Sequence, residues 1–196
     1  MEYLLHVDRT LFHLLNGVWT SDILDVVMPV VTDAKLWAPL LIAFWLWLLF
    51  GGNGRRRALA LLLIVATGAT DQVSSTVVKK AVARKRPCCV EPGARLLVPC
   101  KASKSFPSSH AANTAAAAAV VWLEAGPAAG AVLALLSFVV GYSRIYIGVH
   151  YPFDVMAGWL LGMVVAWLIV LIRRRFWPGP PLTDASRPAG SEPLPS

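Results

Sequence analysis

Three short stretches carry most of the chemistry that this sequence offers: Lys79-x6-Arg86-Pro87, Pro107-Ser108-Ser109-His110, and Ser143-Arg144-x5-His150-x3-Asp154. Their residue types suit the binding of a tetrahedral anion and attack on it. Lysine supplies a point charge, and arginine a planar fork that holds two oxygens of one phosphate. A histidine backed by a carboxylate is a nucleophile or base whose tautomer its partner fixes. A second histidine can pass a proton to or from a leaving oxygen.

Local rules place each stretch. A helix running on through Lys79 would return Arg86 to about the same face seven residues later. Arg86 itself should be extended, because a residue before proline avoids the helical region. Ser108 and Ser109 stand between Pro107 and an alanine-rich run; serine is a preferred N-cap, and the free N–H groups of a helix start form an anion site. His110 then falls in the first turn. Pro152 suits the first position of a helix, which makes Asp154 its third residue, with a carboxylate able to fold back toward His150. Taken singly, each stretch also fits a plainer account: a snorkelling basic cluster, a capped helix with an interfacial histidine, or a capping aspartate beside a structural histidine.

The elements that must hold these residues are apolar. Of 196 residues, 57% are hydrophobic and 15% charged, against about 25% charged in an average soluble domain. Disorder is excluded, and a soluble fold does not suit the numbers. A membrane span needs about 20 apolar residues, within about 17–25. Residues 36–52, 58–78, 108–125, 127–143 and 155–172 read as five such spans within one domain, 1–175. Gly158 and Gly162 give the last span a small-xxx-small contact pattern. Residues 1–18 read as an interfacial helix, with Leu4, Val7, Leu11, Leu14, Leu15 and Val18 on one face and Glu2, Asp8 and Arg9 elsewhere. A sixth, short or re-entrant span including residues 23–31 is the alternative. Residues 176–196 hold six prolines and read as a disordered tail. The fold class is therefore an all-α integral membrane bundle of five or six helices. Ionisable groups gathered at the span ends of so apolar a chain mark a functional site by default.

In order, spacing and position at span ends, the three stretches together resemble the type 2 phosphatidic acid phosphatase family, which shares its site with the vanadium haloperoxidases. The resemblance covers residues 79–154, with one departure: Ser109 stands where the family usually has glycine, which tightens the approach of phosphate to that backbone. It implies a helical bundle in which Lys79, Arg86 and Arg144, with Ser108 and the backbone at Ser109, hold the phosphate. By the same resemblance His150, oriented by Asp154, attacks phosphorus to form a phosphohistidine. His110 protonates the leaving group and then activates water. No metal and no cofactor is implied, and three nearby cations disfavour a divalent ion at His110, His150 and Asp154. The implied substrate is a lipid phosphomonoester or diphosphate. Undecaprenyl or another polyprenyl diphosphate is favoured because the chain adds little to the shared bundle. Phosphatidic acid, phosphatidylglycerol phosphate and lipid A phosphates are the alternatives; a lipid-phosphate transporter or binding protein is the non-enzymatic one.

The formal charge of +7 comes from 18 Lys and Arg against 11 Asp and Glu. Arg55–Arg57 and Arg173–Arg175 lie on one side of five alternating spans, and the positive-inside rule makes that side cytoplasmic. The chemistry-bearing ends then face outward from an inner or plasma membrane. Eleven other cations share that outer side, against six inside, so a raw count argues the opposite way. The conflict resolves if Lys79, Arg86 and Arg144 bind phosphate and Arg84, Lys85, Lys101 and Lys104 attract anionic head groups. Nucleic acid is not a partner on this reading. Cys88, Cys89 and Cys100 share one outer loop, where Cys100 can pair with Cys88 or Cys89. Oligomeric state is not legible in the sequence.

Overall fold

The computed structural model describes residues 2–51 and 53–177; the expected proline-rich tail lies outside them from residue 178 onward. Among the described residues there are helices and no strands. The N-terminal helix α1 (Glu2–His13) passes through a π turn, Leu14–Val18, and bends by 116° into α2 (Asp22–Thr32). Ser21 caps α2, its Oγ accepting from Leu24 N at 3.3 Å. Asp33 and Asn53 do the same for α3 (Ala34–Phe50) and α4 (Gly54–Gln72). α4 continues through a second π segment, Val73–Val78, into the short α5 (Lys79–Val82). A single turn, α6 (Pro87–Val90), opens the long loop to α7 (Ser109–Ala125). Two further helices follow, α8 (Pro127–Tyr146) and α9 (Pro152–Phe176).

The alanine-rich α7 is the hub, packed against α4, α8 and α9. Its small side chains let the other helices come close. A Cβ on Gly158 would stand 2.6 Å from the Ser108 carbonyl oxygen, and one on Gly162 would stand 2.1 Å from that of Ala112. The small-xxx-small pattern is thus a true α7–α9 contact. Leu62 and Ala66 from α4, Ala116 and Val120 from α7, and Ala166 and Val170 from α9 form one buried cluster. Phe12, Ala111, Ile145, Tyr151 and Val155 form another beneath the site. Large apolar residues cover the outside, among them Leu40, Phe44, Leu61, Val132, Leu135, Leu160 and Leu171. Such an exterior suits lipid as solvent.

Gly54–Val90, Pro127–Tyr146 and Pro152–Phe176 are long and apolar enough to cross a membrane, and the bent α1–α2 pair is a fourth candidate if taken as one broken span. The chain is thus an all-α membrane bundle. α3 and α7 have 17 residues each, the lower end of the spanning range. At the far end of the bundle, Glu124 is buried and pairs with Arg173 Nη2 at 3.1 Å and Arg174 Nε at 3.2 Å. Two of the three terminal arginines therefore also tie α9 to α7.

Two expectations need correction. No helix carries Lys79 round to Arg86: Ala83 adopts a left-handed conformation (φ 52°, ψ 24°) that ends α5, at a cost of about 1–2 kcal/mol for an L-residue. And the polar side of α1 does not all meet water, as an interfacial helix would have it: Asp8 is fully buried, while Leu4 and Leu11 on the apolar face are exposed. In a bilayer the polar residue turns inward and the apolar ones face lipid.

Candidate active site

His150 sits in the short link between α8 and α9. Gly148 turns the chain there with φ +84°, and an added Cβ would lie 2.4 Å from the Arg95 carbonyl oxygen. The backbone N–H groups of Val149 and His150 both donate to the carbonyl of Arg144, each at 3.2 Å. Pro152 occupies the first position of α9 and Asp154 the third. The carboxylate folds back as the spacing predicts: Oδ2 accepts from Tyr151 N at 2.9 Å and stands 3.5 Å from His150 Nδ1.

The other ring nitrogen, Nε2, lies 3.0 Å from Arg86 Nη1. A guanidinium only donates, so Nε2 must accept and the ring proton sits on Nδ1, toward Asp154. Burial above all, joined by the charges of Arg86 and Arg144 and opposed by Asp154, lowers the His150 pKa to about 4. The ring is therefore neutral, with its lone pair on Nε2.

Arg86 is extended (φ −73°, ψ 150°) and buried. Its Nε and Nη2 donate to the carbonyl and hydroxyl oxygens of Ser103, each at 3.0 Å, and Nη1 also donates to the Val149 carbonyl at 3.0 Å. Lys79 Nζ donates to Ser109 Oγ at 2.6 Å, and that hydroxyl is 3.0 Å from Ser74 Oγ. Arg144 Nη1 donates to Thr32 Oγ1 at 2.6 Å. Ser108 N donates to the Asp154 carbonyl at 2.9 Å, so that N–H is already engaged. His110 lies half-buried in the first turn of α7, within electrostatic reach of Lys79, Lys101, Arg144 and His150. Arg144 Nε and Ser108 Oγ are buried without a hydrogen-bond partner. An unmet donor in a low-dielectric site is costly unless a ligand supplies the acceptor.

Other participants were not singled out from sequence. Ser103 and Thr32 hold Arg86 and Arg144 in place, and Ser74 holds the Ser109 hydroxyl that Lys79 meets. Arg84 is not a free head-group attractor, for it bridges Asp154 Oδ1 at 2.8 Å and Asp8 Oδ2 at 2.7 Å. One signal could have found it: in an extended segment before proline, residues two apart share a side, which places Arg84 with Arg86. Cys100 pairs with Cys88, tying the turn after Arg86 to the segment before Ser103, and Cys89 is a free, exposed thiol.

Two volumes open in the bundle, the first against Lys79 and Ser103 and the second lined by none of these groups. One of about 530 Å³ is lined by Ser75, Lys79, Lys80, Ser103 and Lys104. The other, of about 540 Å³, is an apolar groove between α8 and α9 floored by α7, with Trp122, Phe138, Trp159 and Trp167 along it.

The chain is similar to known proteins over most of its length. The family model described as PAP2 superfamily matches residues 57–178. A lipid A 4'-phosphatase of Bacteroides thetaiotaomicron is 29% identical over 191 residues, covering 89% of this chain and 80% of that protein. Undecaprenyl-diphosphatase BcrC of Bacillus subtilis is 29% identical over 148 residues, covering 76% and 74%. The crystal structure of Aquifex aeolicus LpxE superposes with a TM-score of 0.71 at 28% identity, over 84% of this chain and 95% of that one.

Proposed function

The chain belongs to the PAP2 superfamily, and on that premise we propose that it is a membrane phosphatase acting on lipid phosphates through a phosphohistidine on His150. The observation that carries the reading is the state of His150. Its Nε2 lone pair faces the Arg86 guanidinium, with the charge of Arg144 also felt at the ring, and its Nδ1 proton faces a buried carboxylate. A protein that only bound phosphate would need the cations but not this histidine pair.

In the proposed reaction Lys79, Arg86 and Arg144 neutralise the equatorial oxygens as charge spreads over them in the transition state. The phosphate takes the place of the Arg86–Nε2 contact and meets the unpaired Arg144 Nε and Ser108 Oγ. Ser109 offers its hydroxyl and backbone where the family usually has glycine. Nε2 attacks phosphorus, the bond to the leaving oxygen breaks, and His110 supplies that oxygen with a proton. Asp154 stabilises the positive ring that forms. His110 then takes a proton from water as the water oxygen attacks the phosphohistidine, releasing phosphate and restoring the neutral ring. The three cations supply the charge that a metal would otherwise bring, and they repel a divalent ion. The reaction should therefore run in chelator.

Among lipid phosphates the reading leans to a polyprenyl diphosphate. Lys80 and Lys104 stand in the same cavity as Lys79, which gives a second phosphate cations of its own. Phosphatidic acid, phosphatidylglycerol phosphate and lipid A phosphates are the competing substrates. With five spans, the positive-inside rule applied to both arginine triplets supports a site on the outer face of an inner or plasma membrane. The test is phosphate release by purified protein, with chelator, from undecaprenyl diphosphate, phosphatidic acid, phosphatidylglycerol phosphate and lipid A. A preference for the diphosphate, lost in His150→Ala, supports the reading. Binding without release would make the chain a carrier.

A further inference from the structure

Asp154 is not the end of the chain of groups behind His150. Its Oδ1 is held by Arg84 Nη1 at 2.8 Å, and the other arm of that guanidinium, Nη2, is held by Asp8 Oδ2 at 2.7 Å. The Arg84 guanidinium also lies over the Tyr151 ring, 3.8 Å from its centre. Asp8 comes from α1, more than 140 residues away in sequence, and its Oδ1 accepts from Phe153 N at 2.8 Å. Phe153 is the second residue of α9, whose first backbone N–H groups have no partner inside the helix. Tyr151, at the cap position, makes no side-chain cap hydrogen bond. Asp8 therefore caps α9 from another helix and places a negative charge at its positive end.

Asp8 and Asp154 are both fully buried at one helix start, with one guanidinium between them. Two buried carboxylates so placed repel each other, and isolated buried charge is costly. The fork of Arg84 answers both, one arm to each, in the bidentate manner that lysine cannot reproduce. With both arms occupied, Arg84 is not free to grip phosphate.

We propose that Arg84 and Asp8 are positioning residues that hold Asp154 ionised and in place behind His150, so that α1 forms the back wall of the nucleophile. The assignment rests on the reading of His150 as nucleophile. Without Arg84, Asp154 keeps the Tyr151 N–H on Oδ2 but loses the partner of Oδ1, and a misplacement of about 1 Å costs on the order of 10²-fold in rate. The effect passes through Asp154 and so falls on the chemical step rather than on substrate binding.

The test uses full-length protein in detergent with one lipid-phosphate substrate and separate kcat and KM. Arg84→Gln should lower kcat about 10²-fold, and Asp8→Asn about tenfold, with KM within about threefold of wild type. Arg84→Lys should recover little, since an ammonium cannot span both carboxylates. In an Asp154→Asn background, Arg84→Gln should cost no more than about threefold further, because residues acting as a unit are not additive. Fully multiplicative losses in that background overturn the assignment, as does a raised KM with unchanged kcat. Asp8→Asn keeps the Oδ1 acceptor for Phe153 N but sets an NH2 donor where Oδ2 accepted from Arg84, removing the charge and the Arg84 contact together, so it carries the test if Arg84→Gln does not fold. Wild-type turnover in Asp8→Asn, with His150→Ala inactive, overturns the positioning role alone. Turnover that survives His150→Ala overturns the nucleophile reading beneath it.

Discussion

Replacing Gly162 by alanine should disable the site without touching it. The new Cβ would stand 2.1 Å from the Ala112 carbonyl oxygen, 2.9 Å from Ala116 N and 3.0 Å from Ala112 C. All three are backbone atoms of α7, which cannot swing aside as a side chain can. Ordinary contact begins near 3.4 Å, so α7 and α9 must part by roughly 1.3 Å at this level in an interior packed like a crystal. α7 begins with Ser109 and His110, α9 carries Asp154, and the two starts are joined by the 2.9 Å bond from Ser108 N to the Asp154 carbonyl. A shift of that size between reacting groups costs on the order of 10²-fold in rate, and overpacking costs about 1–3 kcal/mol in stability. The assay is phosphate release with kcat and KM measured apart, beside thermal unfolding followed by tryptophan fluorescence. Gly68→Ala is the control, because a Cβ there meets nothing within 4 Å. We expect Gly162→Ala to lose about 10²-fold in kcat and to unfold earlier, with Gly68→Ala unchanged in kcat. Wild-type kcat and stability in Gly162→Ala would refute the claim that α7–α9 contact sets the site.

Further outcomes follow from the same geometry. With a folded pKa of about 4 against the ordinary histidine value of 6.5, His150 should stay neutral and Nδ1-protonated from pH 8 down to 5 in the nitrogen NMR spectrum of histidine-labelled protein; a midpoint near 6.5 would contradict its burial. Between those two values the unfolded chain binds a proton that the folded chain refuses. The stability due to the neutral ring is therefore complete above pH 6.5 and is lost as pH falls toward 4, which acid unfolding curves of wild type and His150→Ala can check. Lys80→Ala with Lys104→Ala should raise KM for a polyprenyl diphosphate about tenfold, the worth of one charge-assisted contact, and leave a monophosphate within about twofold. Equal losses on both would remove the diphosphate argument. A membrane-impermeant maleimide on intact cells should label Cys89 without reductant and Cys88 and Cys100 only after reduction; labelling that requires permeabilised cells would reverse the sidedness.

What the sequence could and could not show follows from the range of the rules involved. The extended Arg86, Pro152 at the start of α9 and the folded-back Asp154 are local consequences of proline and capping chemistry, and all three are legible in a few residues. Gly158 and Gly162 are legible because close helix contact demands small residues at fixed spacing. The break at Ala83 has no such mark, since no glycine or proline announces a left-handed residue there. Asp8 was hidden for a different reason. An interfacial helix is expected to turn its polar face to water, whereas α1 turns Asp8 toward the protein and leaves Leu4 and Leu11 outside. Ser103, Thr32 and Ser74 reach the site only through tertiary packing, so nothing in their neighbours' types identifies them. Arg84 was visible as a residue, but its two buried partners were not.

The central claim is that His150 carries the phosphoryl group. It is tested most directly by rapid quenching of the enzyme with a lipid phosphate, followed by peptide mass spectrometry alongside steady-state turnover of His150→Ala. The account predicts one phosphoryl group on His150 in the wild type, and neither label nor turnover in the variant. Phosphate release at wild-type rate by His150→Ala, or a phosphoryl group found on another residue, would contradict it.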